Sequence, residues 1–194
     1  MGLMTIQEFQ NELNKRFPET DLDFPEFRLV EFDTPLANVS GCEKRLEMIF
    51  PPEFVEITTR YFFGELQIGQ VSFGNHGEYY EQIADSNVDR PEQEDPWWEW
   101  SKDQRPGDLV YIAYGDPYAV IMNWRTGEVF AYIGGELWSE SKVKVARGFR
   151  DFFLAVGTVG VKRKMGEGDL VLAKEVAEAV GGEEGFDFWR QMTY

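Results

Sequence analysis

The chain has one cysteine, Cys42, one histidine, His76, and only 19 basic side chains against 35 acidic ones in 194 residues. A single cysteine excludes an internal disulfide framework and any multi-cysteine zinc site, and a free thiol suits a reducing compartment, so a cytoplasmic location is expected. A single histidine leaves a Ser-His-Asp triad no base other than His76, and no Gly-x-Ser-x-Gly elbow is there to hold a nucleophile. A formal charge of -16 opposes binding to phosphate backbones, which needs clustered lysine and arginine, so neither nucleic acid nor anionic membrane is an expected partner. No apolar run approaches the roughly 20 residues of a membrane span. The start, Met1-Gly2-Leu3-Met4-Thr5-Ile6, lacks the cationic opening and continuous apolar core of a leader. The phosphate-binding glycine loops are absent as well, and no cofactor is expected.

What remains is a globular composition, 43% hydrophobic and 28% charged, with a high aromatic share of 15%. The length suits one domain over 1–194 that buries about 70% of its unfolded surface. Thr5 is placed to cap a helix with Ile6, Phe9, Leu13 and Phe17 on one face, ended by Pro18. The run Phe27 to Phe32 alternates like a short edge strand. Ser40 and Glu43 form a capping-box pattern, which predicts a helix to about Ile49 with Cys42, Leu46 and Ile49 facing inward. Pro51 and Pro52 close it and open a second helix carrying Phe54, Ile57, Tyr61 and Phe62 up to Gly64. A strand with Leu66, Ile68, Val71 and Phe73 follows, with Gly69 at a bulge or close backbone contact.

The strongest signal is Gly107 to Tyr132, where β-branched and aromatic runs are broken by Gly115-Asp116-Pro117 and by Asn123 to Gly127, the pattern of a three-strand meander. Beyond it, periodicity predicts a helix over about Val143–Val156 and another over Asp169–Val180, with Phe186, Phe188 and Trp189 docking a last turn. The expected fold is α+β: a mostly antiparallel sheet of five or six strands flanked by N-terminal and C-terminal helices.

Two stretches carry unusual charge. From Asn75 to Trp100 eight acids (Glu78, Glu81, Asp85, Asp89, Glu92, Glu94, Asp95, Glu99) face one base, Arg90, and Trp97, Trp98 and Trp100 are interleaved with the last of them. Glu78, Glu81 and Asp85 at helical spacing suit a hard cation or an acid/base pair, although such faces are commonly just solvated. Long polar loops carry function disproportionately. Tryptophan beside a charged rim is the composition of an interface hot spot, so Glu92, Glu94, Asp95, Trp97, Trp98 and Trp100 are the candidate partner contacts; capping of the sheet as core is the other reading of these tryptophans, with Trp124 and Trp138. In contrast, Lys142, Lys144, Arg147, Arg150, Lys162, Arg163 and Lys164 oppose only Asp151, which makes the molecule electrically two-sided.

Four segments, taken in order, resemble the SUKH superfamily, which includes yeast cell-wall-synthesis regulators and many bacterial immunity proteins. They are the elbow from Glu43-Lys44-Arg45-Leu46 through Phe50-Pro51-Pro52-Glu53-Phe54, and the step Phe63-Gly64-Glu65-Leu66-Gln67-Ile68-Gly69. The others are Gly107-Asp108 with Thr126-Gly127-Glu128-Val129-Phe130, and Ala146-Arg147-Gly148-Phe149-Arg150-Asp151-Phe152-Phe153-Leu154. The likeness covers about 40–156, leaving a helical C-terminal extension over about 157–194. The chain departs from it at Phe62-Phe63-Gly64, where members often carry an asparagine-glycine pair. The resemblance implies a non-enzymatic protein-binding domain that neutralises a toxin, a basic nuclease for instance, by binding it. The alternatives are an intracellular scaffold of the regulator type and, from the carboxylates alone, a metal-dependent hydrolase.

Overall fold

The computed structural model describes residues 2–18, 25–36, 38–75, 77–87, 107–133, 138–164 and 168–194. In chain order the elements are α1 (Ile6–Arg16), a 3-10 turn at Pro25–Phe27, α2 (Val39–Leu46), α3 (Pro52–Arg60), β1 (Gln67–Ile68), β2 (Val71–Ser72), α4 (Tyr79–Asn87), β3 (Leu109–Gly115), β4 (Tyr118–Asn123), β5 (Val129–Ile133), α5 (Trp138–Ser141), β6 (Val143–Ala146), α6 (Phe149–Lys162), α7 (Leu170–Val180), a 3-10 turn at Glu183–Gly185, and α8 (Phe186–Met192). The strands form one antiparallel sheet in sequence order, β1 to β6, so the fold is α+β with helices at both ends of the chain, as the sequence predicts.

One face of the sheet, through Val110, Ile112, Val120, Met122, Val129, Ala131 and Val145, belongs to the main core. On it lies α6, whose Phe149, Phe152, Phe153, Val156 and Val159 are buried. Aromatic rings fill the space between: Phe63 meets Phe73 edge to face at 5.1 Å and Phe153 at 5.3 Å, while Phe54 meets Phe149 at 4.6 Å. Each such ring, fully buried, contributes roughly 1.5–3 kcal/mol. At the N-terminus Thr5 caps α1 in a reciprocal box with Glu8 and aims Phe9 at α6. The C-terminal helices are part of the same core, because Phe188 and Trp189 are fully buried and the Trp189 indole donates to the Val145 carbonyl at 3.1 Å.

The structure differs from the sequence pattern in several places, each for a local reason. Val143–Ala146 is not the start of a helix; it pairs with β5 as the sixth strand, and α6 begins only after Gly148. The capping box at Ser40 does not form: α2 starts at Val39 behind Asn38, and the Glu43 carboxylate instead accepts from the Phe50 N–H at 3.0 Å, closing the turn into the prolines. Because α2 stops at Leu46 and Glu47 is left-handed (φ 54°), Ile49 leaves the apolar stripe and is 73% exposed, whereas Cys42 is buried as expected. Tyr61 and Phe62 lie beyond the end of α3. Gly69 (φ 63°) turns β1 into β2 as a tight hairpin rather than marking a bulge. The run from Phe27 contributes a 3-10 turn and a single bridge, Glu31 to Tyr61, not a strand of the sheet.

Candidate functional site

The meander strands are apolar on both faces, the pattern of strands buried on both sides. On the face turned away from α6, Leu109, Ala119, Ile121 and Tyr132 form a second cluster with Tyr111 and Phe130 at its margin. The register sets Tyr111, Ile121 and Phe130 in one cross-strand row and Ala119 beside Tyr132. Burial pushes the Tyr132 phenol up to about 12, so it stays a neutral donor at physiological pH. Lys142 places its ammonium 4.7 Å above the Phe130 ring, a cation–π contact that gives this aromatic margin a basic neighbour. Beside the β4–β5 turn Trp124 donates to the Gly107 carbonyl at 2.8 Å and Arg125 stacks on its indole at 4.2 Å.

The outer edge of β3 is closed by α4. Asn87, at the end of that helix, receives the Tyr111 N–H on its carbonyl at 2.8 Å and donates to the Tyr111 carbonyl at 2.9 Å, imitating a neighbouring strand. The Tyr79 hydroxyl donates to the next carbonyl, Ile112, at 2.8 Å. Buried donors and acceptors must find partners, and an open edge invites foreign strands; these two side chains meet both demands. Nothing in the periodicity of the sequence marked Asn87 for this role.

The acidic stretch follows Asn87, which is bonded to the Tyr111 backbone, and ends before Gly107, two residues ahead of Leu109, so its described ends both lie along β3. The candidate contacts Glu92, Glu94, Asp95, Trp97, Trp98 and Trp100, and His76, lie outside the described residues. Glu78, Glu81 and Asp85 are described, and each is engaged. Arg45 reaches from α2 to hold Glu81 at 2.8 Å and Asp85 at 2.7 Å, and Asn38 donates to Glu78 at 3.2 Å. A guanidinium between carboxylates occupies the position a cation would need. Among the described residues no group of three or more His, Cys, Asp or Glu side chains is placed to share a metal ion.

Several other cations pair in the same way. Arg60 holds Glu31 at 2.8 Å, Arg147 holds Asp151 at 3.0 Å, Arg150 holds Glu56 at 2.9 Å, and Lys144 stands 3.6 Å from Glu128. Thus three of the residues that made one side of the sequence look basic are spent on the protein's own acids. Exposed pairs of this kind add little stability, about 0–1 kcal/mol each, but they cancel positive field. Fold and site together define an α+β domain with a two-faced antiparallel sheet. No family model, curated protein or solved structure matches the chain. No described helix is long and apolar enough to cross a membrane.

Proposed function

We propose that this chain is a non-enzymatic protein-binding domain of the SUKH type that acts as an immunity protein, holding a basic toxin domain and occluding its active site. The observation that carries this reading is the internal neutralisation of the cations: with Arg45, Arg60, Arg147 and Arg150 all tied to its own carboxylates, the surplus behind the net charge of -16 is left to face outward. A surface of one sign speeds encounter with a partner of the other, and aromatic anchors then supply the holding energy. The placement of the four resembling segments supports the family reading. The prolines form the α2–α3 elbow, Phe63 to Gly69 contains β1, Gly107-Asp108 precedes β3, Thr126 to Phe130 turns β4 into β5, and Gly148-Phe149 opens α6.

The contacts this reading nominates are Glu92, Glu94, Asp95, Trp97, Trp98 and Trp100, in the segment between Asn87 and Gly107. Affinity capture at low and at moderate salt, with the triple variant E92K/E94K/D95K as control, tests it. The expected result is a basic toxin domain that is inhibited on binding, held less well as salt rises, and lost by the variant. Unchanged binding by the variant overturns the placement; recovery of cellular regulators instead of a toxin moves the function to the scaffold class.

A further inference from the structure

One tyrosine is almost wholly buried and yet keeps an unanswered polar group. Tyr61, just past the end of α3, is 5% exposed, and its hydroxyl has no hydrogen-bond partner among the described residues, whereas the hydroxyls of Tyr79 and Tyr80 both have one. It is not among the sealed unpaired atoms of the fold. The hydroxyl therefore opens into the cavity that Tyr61 lines, a recess of about 200 Å³ between the start of α1, the end of α3 and the first turn of α6. Burial pushes the phenol up, Arg60 and Arg150 pull it down, and Glu31 and Glu56 push it up again, so it stays neutral and four charged groups surround one hydroxyl. A buried hydroxyl ordinarily has a partner, and here the fold supplies none.

The free atoms around it decide what fits. Arg60 spends Nε on Glu31 and Arg150 spends Nη2 on Glu56, which leaves both terminal nitrogens of Arg60 and Nη1 of Arg150 without a hydrogen-bond partner among the described residues. The lining thus offers donors that suit a carboxylate. It also offers an acceptor, because Glu56 gives Oε2 to Arg150 and keeps Oε1 open. Ile6 and Ile57 supply an apolar wall. Two guanidinium groups stand against three carboxylates, since Glu53 lies 3.8 Å from Arg150 in addition to Glu31 on Arg60 and Glu56 on Arg150. A bare anion would add to that surplus on a chain of charge -16, and a bare cation would face the arginines; an occupant with one charge of each sign meets neither penalty.

We propose that this recess binds a small zwitterion, a free α-amino acid with a short apolar side chain: its carboxylate on Arg60, Arg150 and the Tyr61 hydroxyl, its ammonium on Glu56, and its side chain against Ile6 and Ile57. The site is separate from the acidic segment and does not rest on the immunity reading. A cavity of about 200 Å³ is below the roughly 300–1,000 Å³ of clefts that take drug-sized ligands, which suits a molecule of this size. Binding is expected to be weak, because the Arg60 and Arg150 side chains are 54% and 36% exposed and water screens them.

The test follows the Ile57 methyl groups, the Tyr61 ring and the Arg60 Nε–H by NMR in the full chain. The probes are valine, N-acetylvaline, which lacks the ammonium, valinamide, which lacks the carboxylate, and sodium acetate. Expected are saturable shifts at all three positions with valine and affinities at least several-fold weaker with each of the others. Y61F is expected to weaken valine several-fold while leaving the melting temperature unchanged, because the hydroxyl it removes bonds nothing in the protein. E56Q is expected to weaken valine but not N-acetylvaline. An equal response to acetate and valine would mean an adventitious ion only. That result, the absence of any saturable shift, or full valine binding in Y61F would each overturn the proposal.

Discussion

At the scale of the residue, Asn87 shows how one side chain stands in for a strand. Its amide serves both backbone groups of Tyr111 and also donates to the Ile83 carbonyl at 2.9 Å, all at 2% exposure. Asn87→Ala leaves those groups without partners, and a loss of about 2–3 kcal/mol is expected in urea unfolding; a loss under about 0.5 kcal/mol would mean that water or another side chain closes the edge equally well. Cys42 gives a second residue-level expectation. Burial pushes its thiol from an ordinary 9.0 up to about 12. A group whose pKa is raised by folding contributes stability that is complete below its unfolded value and drains away as pH climbs toward the folded one. Stability should therefore fall between about pH 9 and about pH 12, less steeply in Cys42→Ala, and the folded thiol should resist alkylation at neutral pH. Rapid labelling of the native protein would contradict the buried placement.

At the scale of the element, α1 and α6 depend on a missing side chain. A Cβ at Gly157 would sit 2.9 Å from the fully buried Phe9 ring, which stacks edge-on to Phe153 at 5.8 Å and has no room to move. Gly157→Ala gains up to about 1 kcal/mol of helix propensity but overpacks at a cost of roughly 1–3 kcal/mol, so net destabilisation is expected. Amide exchange should quicken in α1 first, and adding Phe9→Leu should restore part of the loss; protection unchanged in α1 would mean that the helices separate without penalty. Elements were legible in sequence where one signal acted alone. Thr5 with the Phe9 and Leu13 stripe predicted α1, and the helix expected over about Asp169–Val180 is α7, with Asp169 as its cap. They were misread where two periods overlapped. Val143, Val145, Phe149 and Phe152 fit a helical stripe as well as they fit a strand followed by a helix, and only pairing with Val129 and Ala131 decides between them. Ser40 and Glu43 had the right spacing for a cap, but the Phe50 N–H at the prolyl elbow competed for the same carboxylate and won.

At the scale of the molecule, a net charge of -16 repels itself in the compact state, and the ion pairs of Arg45, Arg60, Arg147 and Arg150 offset only part of that. Raising sodium chloride from about 20 mM to about 200 mM shortens the screening length from roughly 20 Å to roughly 7 Å. The melting temperature should rise by about 2–4 °C, the response to about 1 kcal/mol at this size; a fall would mean that the attractive pairs outweigh the repulsion. The acidic sign, the poverty in cysteine and histidine, the three-strand meander and the α+β class were all fixed by composition and local periodicity, because each depends on residue type or near neighbours. The candidate contacts from Glu92 to Trp100 were legible as composition alone. What tertiary structure decided is which distant groups meet: Arg45 with Glu81 and Asp85, Asn87 with Tyr111, Arg16 with the Val161 carbonyl near the end of α6. No spacing rule encodes those meetings, since each joins groups that chain topology alone brings within hydrogen-bonding distance, and they determine which charges are cancelled within the fold.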